Sequence, residues 1–202
     1  MTISDIQLTR DVKAGDDRAF EMIVERHKDG LVNYLTLLTG HRDRGEEYAQ
    51  DALVRLYQSI HRHGELENLS SYLFSIGTNL VRTDFRRATR WKLLLPWLTR
   101  SEASEESPQK AMLQNEVQHQ VQAALSSLPL RYRAPLLLRE IEGWSYAEIA
   151  KSIGCPEGTL KSRIARGREL LRKKLNSYWN GGHLYGQRDQ SASSLPAANK
   201  SV

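Results

Sequence analysis

The stretch from Ser145 to Leu175, SYAEIAKSIGCPEGTLKSRIARGRELLRKKL, decides how the chain is read. Ala150 is a small residue on a short amphipathic run. Gly154 stands four positions on, where a tight turn needs a residue free of Cβ strain, and Leu160 stands six further on to pack beneath. This is the spacing of a helix-turn-helix. Pro156 falls where a first helical turn tolerates proline, since an amide there has no intrahelical partner, so a new helix is expected to start at about that residue. On its wheel Leu160, Ile164, Leu171 and Leu175 share one face. The opposite face carries Ser162, Ala165, Arg166, Glu169 and Lys173, with Lys161 and Arg172 on the flank. Small side chains let a helix backbone approach a groove, and long cationic ones reach phosphates or the acceptor edge of guanine. A solvated basic helix is the blander alternative. The turn spacing, the proline and the excess of cations coincide in one segment, and together they favour DNA binding.

The rest of the chain shows that this basicity is local. Across 202 residues there are 29 Lys and Arg against 24 Asp and Glu, a net of +5, which permits an anionic partner without demanding one. From Pro156 to Leu175 there are seven basic and two acidic residues, whereas from Ser101 to Glu116 there are four acidic and one basic. Cys155 is the single cysteine, so the chain can form no internal disulfide and no cysteine-based metal site of its own. The first residues, MTISDIQLTRDVKAGDD, lack the apolar core of a secretory signal, and no apolar run is long enough to cross a bilayer. A cytoplasmic protein is expected.

Helical periodicity dominates, with no alternating apolar and polar run bounded by turn signals, so the expected fold is all-α. Between Asp17 and Leu38 the apolar positions Phe20, Ile23, Val24, Leu31, Tyr34, Leu35 and Leu38 recur at helical intervals, and Gly40 follows as a stop. A second amphipathic helix is expected from about Arg44 to Ile60, burying Tyr48, Ala52, Leu53, Leu56 and Ile60. His61 to Leu69 reads as a loop, after which Ser70 or Ser71 can cap a third helix that carries Tyr72, Leu73, Ile76 and Leu80. The polar, acidic run RSEASEESP from Arg100 to Pro108 has the composition of a linker between two packed units. Ahead of it, Trp91, Leu93, Leu94, Leu95, Trp97 and Leu98 form an apolar cluster suited to packing on the first unit or on a partner. About four helices are expected from Ala111 to Leu175, interrupted at Pro129 and around Gly154 to Pro156. Beyond Asn176 the composition predicts a disordered tail.

These segments resemble a known family. SSLPLRYRAPLLLREIEGWSYAEIAKSIGCPEGTLKSRIARGRELLRKKL is similar to domain four of bacterial sigma factors. RGEEYAQDALVRLYQSI and LSSYLFSIGTNLVRTDFRR are similar to their domain two. Both occur in the family's order, and the short linker has no room for domain three, which points to the extracytoplasmic-function (ECF) subfamily of the sigma-70 family. The resemblance implies two small helical domains joined by a flexible linker: domain two over residues 1–98, a linker over 99–112, domain four over 113–177 and a tail over 178–202.

What the family does is then expected of particular residues here. Glu47, Gln50, Asp51 and Val54 would form the face of the second helix that docks on core RNA polymerase. Asn79, with Arg82, Arg86 and Arg87 and then Arg90, would engage the melted non-template strand at the minus-ten element, and the loop from His61 to Leu69 would capture an extruded base. Lys161, Ser162, Ala165 and Arg166 occupy positions that face the minus-thirty-five element of double-stranded promoter DNA, with Arg163 and Arg168 as phosphate partners. Lys161 stands where many relatives carry Arg, a point charge in place of a bidentate fork. Ala165 stands where some relatives carry a large residue. The acidic linker would thread the RNA exit path of the polymerase, and an anti-sigma factor is implied as a further partner.

Two other functions compete. A helix-turn-helix repressor or activator would bind operator DNA without polymerase, but has no reason to carry domain two. A metal-dependent nuclease would use Glu46, Glu47 and Asp51, yet no His is spaced to join them, and His61 with His63 supplies too few ligands for a structural metal. No catalytic residue, metal or cofactor is expected. Cys155 precedes the recognition helix, where a helix N-terminus can lower a thiol pKa, although a small turn residue is the commoner role.

Overall fold

The computed structural model describes residues 3–94 and 114–180, and eight helices account for their regular structure. The linker expected over 99–112, Leu95, Trp97 and Leu98 of the apolar cluster, and the tail beyond Asn180 lie outside the described residues. The first helix, α1 (Asp5–Lys13), was not foreseen from the pattern. Its Ser4 side chain caps the Gln7 amide, and it buries Leu8 and Val12 against its neighbours. Ion pairs of Arg10 with Glu65 at 2.6 Å and of Asp5 with Arg26 and His27 tie it to the loop ahead of α4 and to α2.

Three long helices follow: α2 (Asp17–Thr39), α3 (Arg42–His63) and α4 (Leu69–Leu94). The apolar positions expected at Ile23, Leu31, Tyr34, Leu35, Leu38, Leu56 and Ile60 are fully buried, because helical spacing gathers them on one stripe. α2 stops at Gly40, whose φ of 90° is the left-handed conformation that ends a helix without Cβ strain. α3 lies so close to α2 that a β-carbon on Gly45 would come within 2.7 Å of the Thr36 amide nitrogen. Tyr34 and Thr78 bond to each other at 2.8 Å across α2 and α4, which satisfies a phenol that would otherwise be buried unpaired.

The boundaries differ from the sequence pattern at two places that matter. α3 continues through His63, so the connection to α4 is only residues 64–68. The cap of α4 is Asn68, whose side-chain oxygen accepts from the Ser71 amide at 2.8 Å; Ser71 lies buried within the first turn and caps nothing. Asn68 holds the cap because it stands just ahead of Leu69, the first helical residue, whereas Ser70 and Ser71 already lie inside the helix.

The second unit consists of α5 (Gln114–Ser126), α6 (Leu130–Glu140), α7 (Tyr146–Ile153) and α8 (Glu157–Asn180). The break at Pro129 falls as expected, and a further break occurs over residues 141–145. α8 runs on to Asn180, so residues 178–180, placed by composition in the tail, are helical. A β-carbon on Gly167 would lie 3.2 Å from the Tyr132 carbonyl, so glycine there sets the close crossing of α8 over α6. The core extends without interruption from one unit into the other. α7 rests on α4, α6 and α5 rest on α2, and the Phe74 and Trp144 rings meet at 5.2 Å.

Candidate nucleic-acid interface

The turn motif folds as its spacing predicts. α7 opens with a capping box, in which Ser145 Oγ accepts from the Glu148 amide and the Glu148 carboxylate accepts from the Ser145 amide. The Ser145 hydroxyl, which donates to the Glu148 carboxylate at 2.7 Å, and then the Ser145 amide hold that carboxyl below the ordinary carboxylate range. Ala150 is buried, Gly154 takes φ 70° as the helix stop, and Leu160 and Ile164 are sealed beneath α8. Cys155 is a half-buried residue of this turn. Pro156 precedes α8, and its carbonyl accepts the first helical bond from Leu160 at 3.0 Å.

α8 therefore presents Lys161, Ser162, Ala165 and Arg166 exposed, as the wheel requires; Arg168, which the wheel does not set outward, is exposed as well, and Arg163 is half-buried on the flank. Most of the polar members already hold partners. Arg166 pairs with Glu169 at 2.6 Å, and Lys173 pairs with the same carboxylate at 2.8 Å. Hydrogen bonds from Lys173 and Arg166 hold the Glu169 carboxyl below its usual range. Arg168 donates through Nε and Nη2 to Glu140 of α6 at 2.9 and 2.6 Å. Ser162 donates to the Thr159 carbonyl, and Lys161 lies 5.9 Å from the centroid of the Tyr146 ring, which Arg139 also approaches at 5.1 Å. The sequence pattern gave no sign of Glu140 or Tyr146, because both come from other elements.

A second cationic face lies on α4. Asn79, Arg82, Arg86 and Arg90 succeed one another at three- and four-residue steps with Arg87 beside them, and all five are exposed. Asn79 Oδ1 accepts from Arg82 at 2.6 Å, leaving the Asn79 amide group free to donate. Behind this face Tyr48 donates to Asp84 and accepts from Arg44, both at 2.7 Å, which pins α3 to α4. Burial, joined by the bond to Asp84, pushes the Tyr48 phenol up to about 12. Near the first turn of α4 the loop residues Glu65, Leu66, Glu67 and Asn68 border a cleft of about 300 Å³ that Tyr72 and Ser75 also line.

On α3, Glu47, Gln50, Asp51 and Val54 are all exposed, and Val54 keeps 57% of its surface in solvent, high for a branched apolar side chain. Gln50 also borders a groove between α2 and α3. Glu46 pairs with Arg42 at 2.9 Å, and among the described residues no three His, Cys, Asp or Glu side chains gather where they could hold a metal ion. His61 is exposed in the last turn of α3 and bonds the Tyr57 carbonyl. No described helix is long and apolar enough to cross a membrane.

Comparison with known proteins places the chain in a family. Residues 23–91 match the sigma-70 region 2 family and residues 118–171 the sigma-70 region 4 family. The chain is 31% identical to the ECF RNA polymerase sigma factor SigW of Bacillus subtilis over 82% of its own length and 94% of that protein. It is 29% identical to the RNA polymerase sigma-H factor of Pseudomonas aeruginosa over 85% and 93% of the two chains. In fold it is similar to the sigma factor RpoE of Bartonella quintana, solved in complex with the anti-sigma factor NepR, with a TM-score of 0.64, 24% identity and coverage of 78% and 96%. With regions 2 and 4 matched in order and relatives aligned over nearly their full length, the chain belongs to the sigma-70 family as an ECF RNA polymerase sigma factor.

Proposed function

We propose that the three exposed faces divide the work of promoter-specific initiation. α8 reads the minus-thirty-five element with Lys161, Ser162, Ala165 and Arg166, while Arg163 and Arg168 contact phosphates. Asn79, Arg82, Arg86 and Arg87 engage the non-template strand of the melted minus-ten element, with the cleft at residues 65–68 taking an extruded base. Glu47, Gln50, Asp51 and Val54 dock on core RNA polymerase. The protein works in the cytoplasm, where an anti-sigma factor controls it. Domain two spans residues 1–98 and domain four begins at 113, joined by a linker over 99–112. The observation that supports this reading is that both cationic faces, set on separate helices, are exposed while Leu73 and Val81 of α4 and Leu160 and Ile164 of α8 are buried.

Initiation by core polymerase on a library of upstream sequences tests it. Arg166→Ala is expected to relax preference at the upstream element and Asn79→Ala at the downstream one, each by about 1–3 kcal/mol of discrimination at the contacted base. Uniform loss across all sequences would reduce both residues to phosphate contacts. Specific duplex binding without any gain in initiation would favour a repressor or activator acting without polymerase.

A further inference from the structure

α1 meets the bundle with one face and the loop ahead of α4 with another. Leu8 and Val12 are sealed against the neighbouring helices. The start of α1 is tied to α2, where Asp5 pairs with Arg26 and His27 and the Ile3 carbonyl accepts from Arg26 Nη2 at 2.9 Å. Three further residues then meet three successive residues of the loop. The Lys13 side chain lies over buried Gly64, where a β-carbon would come within 2.7 Å of Nζ. Arg10 donates through Nε and Nη2 to the two carboxylate oxygens of Glu65 at 2.6 and 2.9 Å. Thr9 is wholly buried, and its hydroxyl lies 3.5 Å from the Leu66 amide, a long bond.

Fold stability does not account for the Arg10 contact. Arg10 and Glu65 keep 53% and 51% of their side chains in solvent, and an exposed pair adds little to a bundle already closed by Ile23, Leu31 and Leu35. What the pair fixes is direction, because a fork that engages both oxygens holds the carboxylate in one orientation. Gly64 constrains the backbone next to it, since its φ of 82° is a conformation that other residues adopt only under strain. Glu65 therefore stands as a fixed partition. On one side it borders the cleft that Leu66, Glu67, Tyr72 and Ser75 also line, and on the other a cationic hollow shared with Arg10, Lys13 and His63.

Such a partition matters to an anionic ligand. A loop that carries Glu65 and Glu67 repels a phosphate backbone, and the repulsion grows as a strand approaches. Arg10 and Lys13 offset it from behind. The Arg10 bonds first, and then the Arg10 and Lys13 charges, hold the Glu65 carboxyl below its usual range. The carboxylate stays ionised, and each oxygen keeps acceptor capacity beyond the bond that the fork uses.

We propose that α1 is the brace of the base-capture loop, with Arg10 as a positioning residue: it holds Glu65 at the rim so that the cleft admits a base extruded from single-stranded DNA, and together with Lys13 it offsets the acidity that this strand would meet. The brace rests on the reading of the cleft under the proposed function.

Holoenzyme assembled from core polymerase and the full chain tests it on promoter templates that carry 2-aminopurine at one position of the minus-ten non-template strand at a time. This base brightens when it leaves the stack. Wild type is expected to brighten one position beyond the rest. Arg10→Ala is expected to dim that position by about twofold to fivefold, the scale set by loss of one exposed ion pair, while the neighbouring positions keep their signal. Exchanging the charges, with Arg10→Glu and Glu65→Arg together, is expected to restore most of the lost signal. Arg10→Lys, which keeps the charge and gives up the fork, is expected to restore less. All three variants should melt as wild type does, since the pair is exposed. Undiminished brightness in Arg10→Ala, an equal fall at every position, or a charge exchange that restores nothing would overturn the brace. A wild-type holoenzyme that brightens no position would instead sink the base-capture reading, and the brace with it.

Discussion

Domain two and domain four are both small helical units, but they are held together by different means. Domain two is an apolar bundle. Ile23, Leu31, Leu35, Leu38, Leu56, Ile60 and Leu73 are sealed from solvent along three helices of more than twenty residues each. Domain four has shorter helices and fewer sealed side chains, and it depends on polar devices: the capping box of α7, the Arg139 bond to the Trp144 carbonyl and the Arg133 guanidinium. Domain two is therefore a rigid apolar platform, whereas domain four is held by directional bonds that can be exchanged.

Substitutions can test that contrast, beginning with the largest effect. Leu35→Ala should destabilise domain two by about 2–5 kcal/mol, since it empties space beside Leu31 and Gly77 that rigid helices cannot refill; urea unfolding followed by circular dichroism measures it. A loss below 1 kcal/mol would break the picture of a tightly packed platform. Arg133→Met keeps the bulk but leaves the Leu38, Ser126 and Leu128 carbonyls without their donor, a loss of about 1–3 kcal/mol. It should appear in domain four and as separation of the domains, with the domain two transition little changed. Ser145→Ala removes the cap of α7 at about 1 kcal/mol. It should also weaken the acid dependence of domain four. Glu148 has its pKa depressed in the folded state, so its contribution is present above the ordinary carboxylate value and lost as pH falls through the depressed one. A thermal melt series from neutral to acid pH should therefore diverge least between wild type and variant at the acid end.

The same contrast explains what the sequence disclosed. Long stripes such as Leu31, Tyr34, Leu35 and Leu38 announce themselves by period, and so do the outward faces of α4 and α8 that lie opposite them. α1 escaped notice because Leu8 and Val12 are too few to set a period in a polar segment. Asn68 escaped because two serines further along offered the same chemistry. Arg166 and Ser162 find partners on their own helix, but Glu140 beside Arg168 and Tyr146 beside Lys161 come from other elements, and no local pattern predicts them. The docking of the domains was illegible for a further reason. Its contacts run from Arg133, Gln122 and Ser152 to backbone carbonyls, groups that every residue possesses.

The pairing of Glu169 with both Arg166 and Lys173 bears on how the factor searches a genome. A bare cationic helix clings to any duplex, and the time spent on wrong sites grows with each unneutralised charge. Here a carboxylate sits between two of the cations, so on the proposed function a phosphate would compete with it for either one. Random sequence, which offers only phosphates, would then release the helix sooner than a matched site, which adds base-edge bonds.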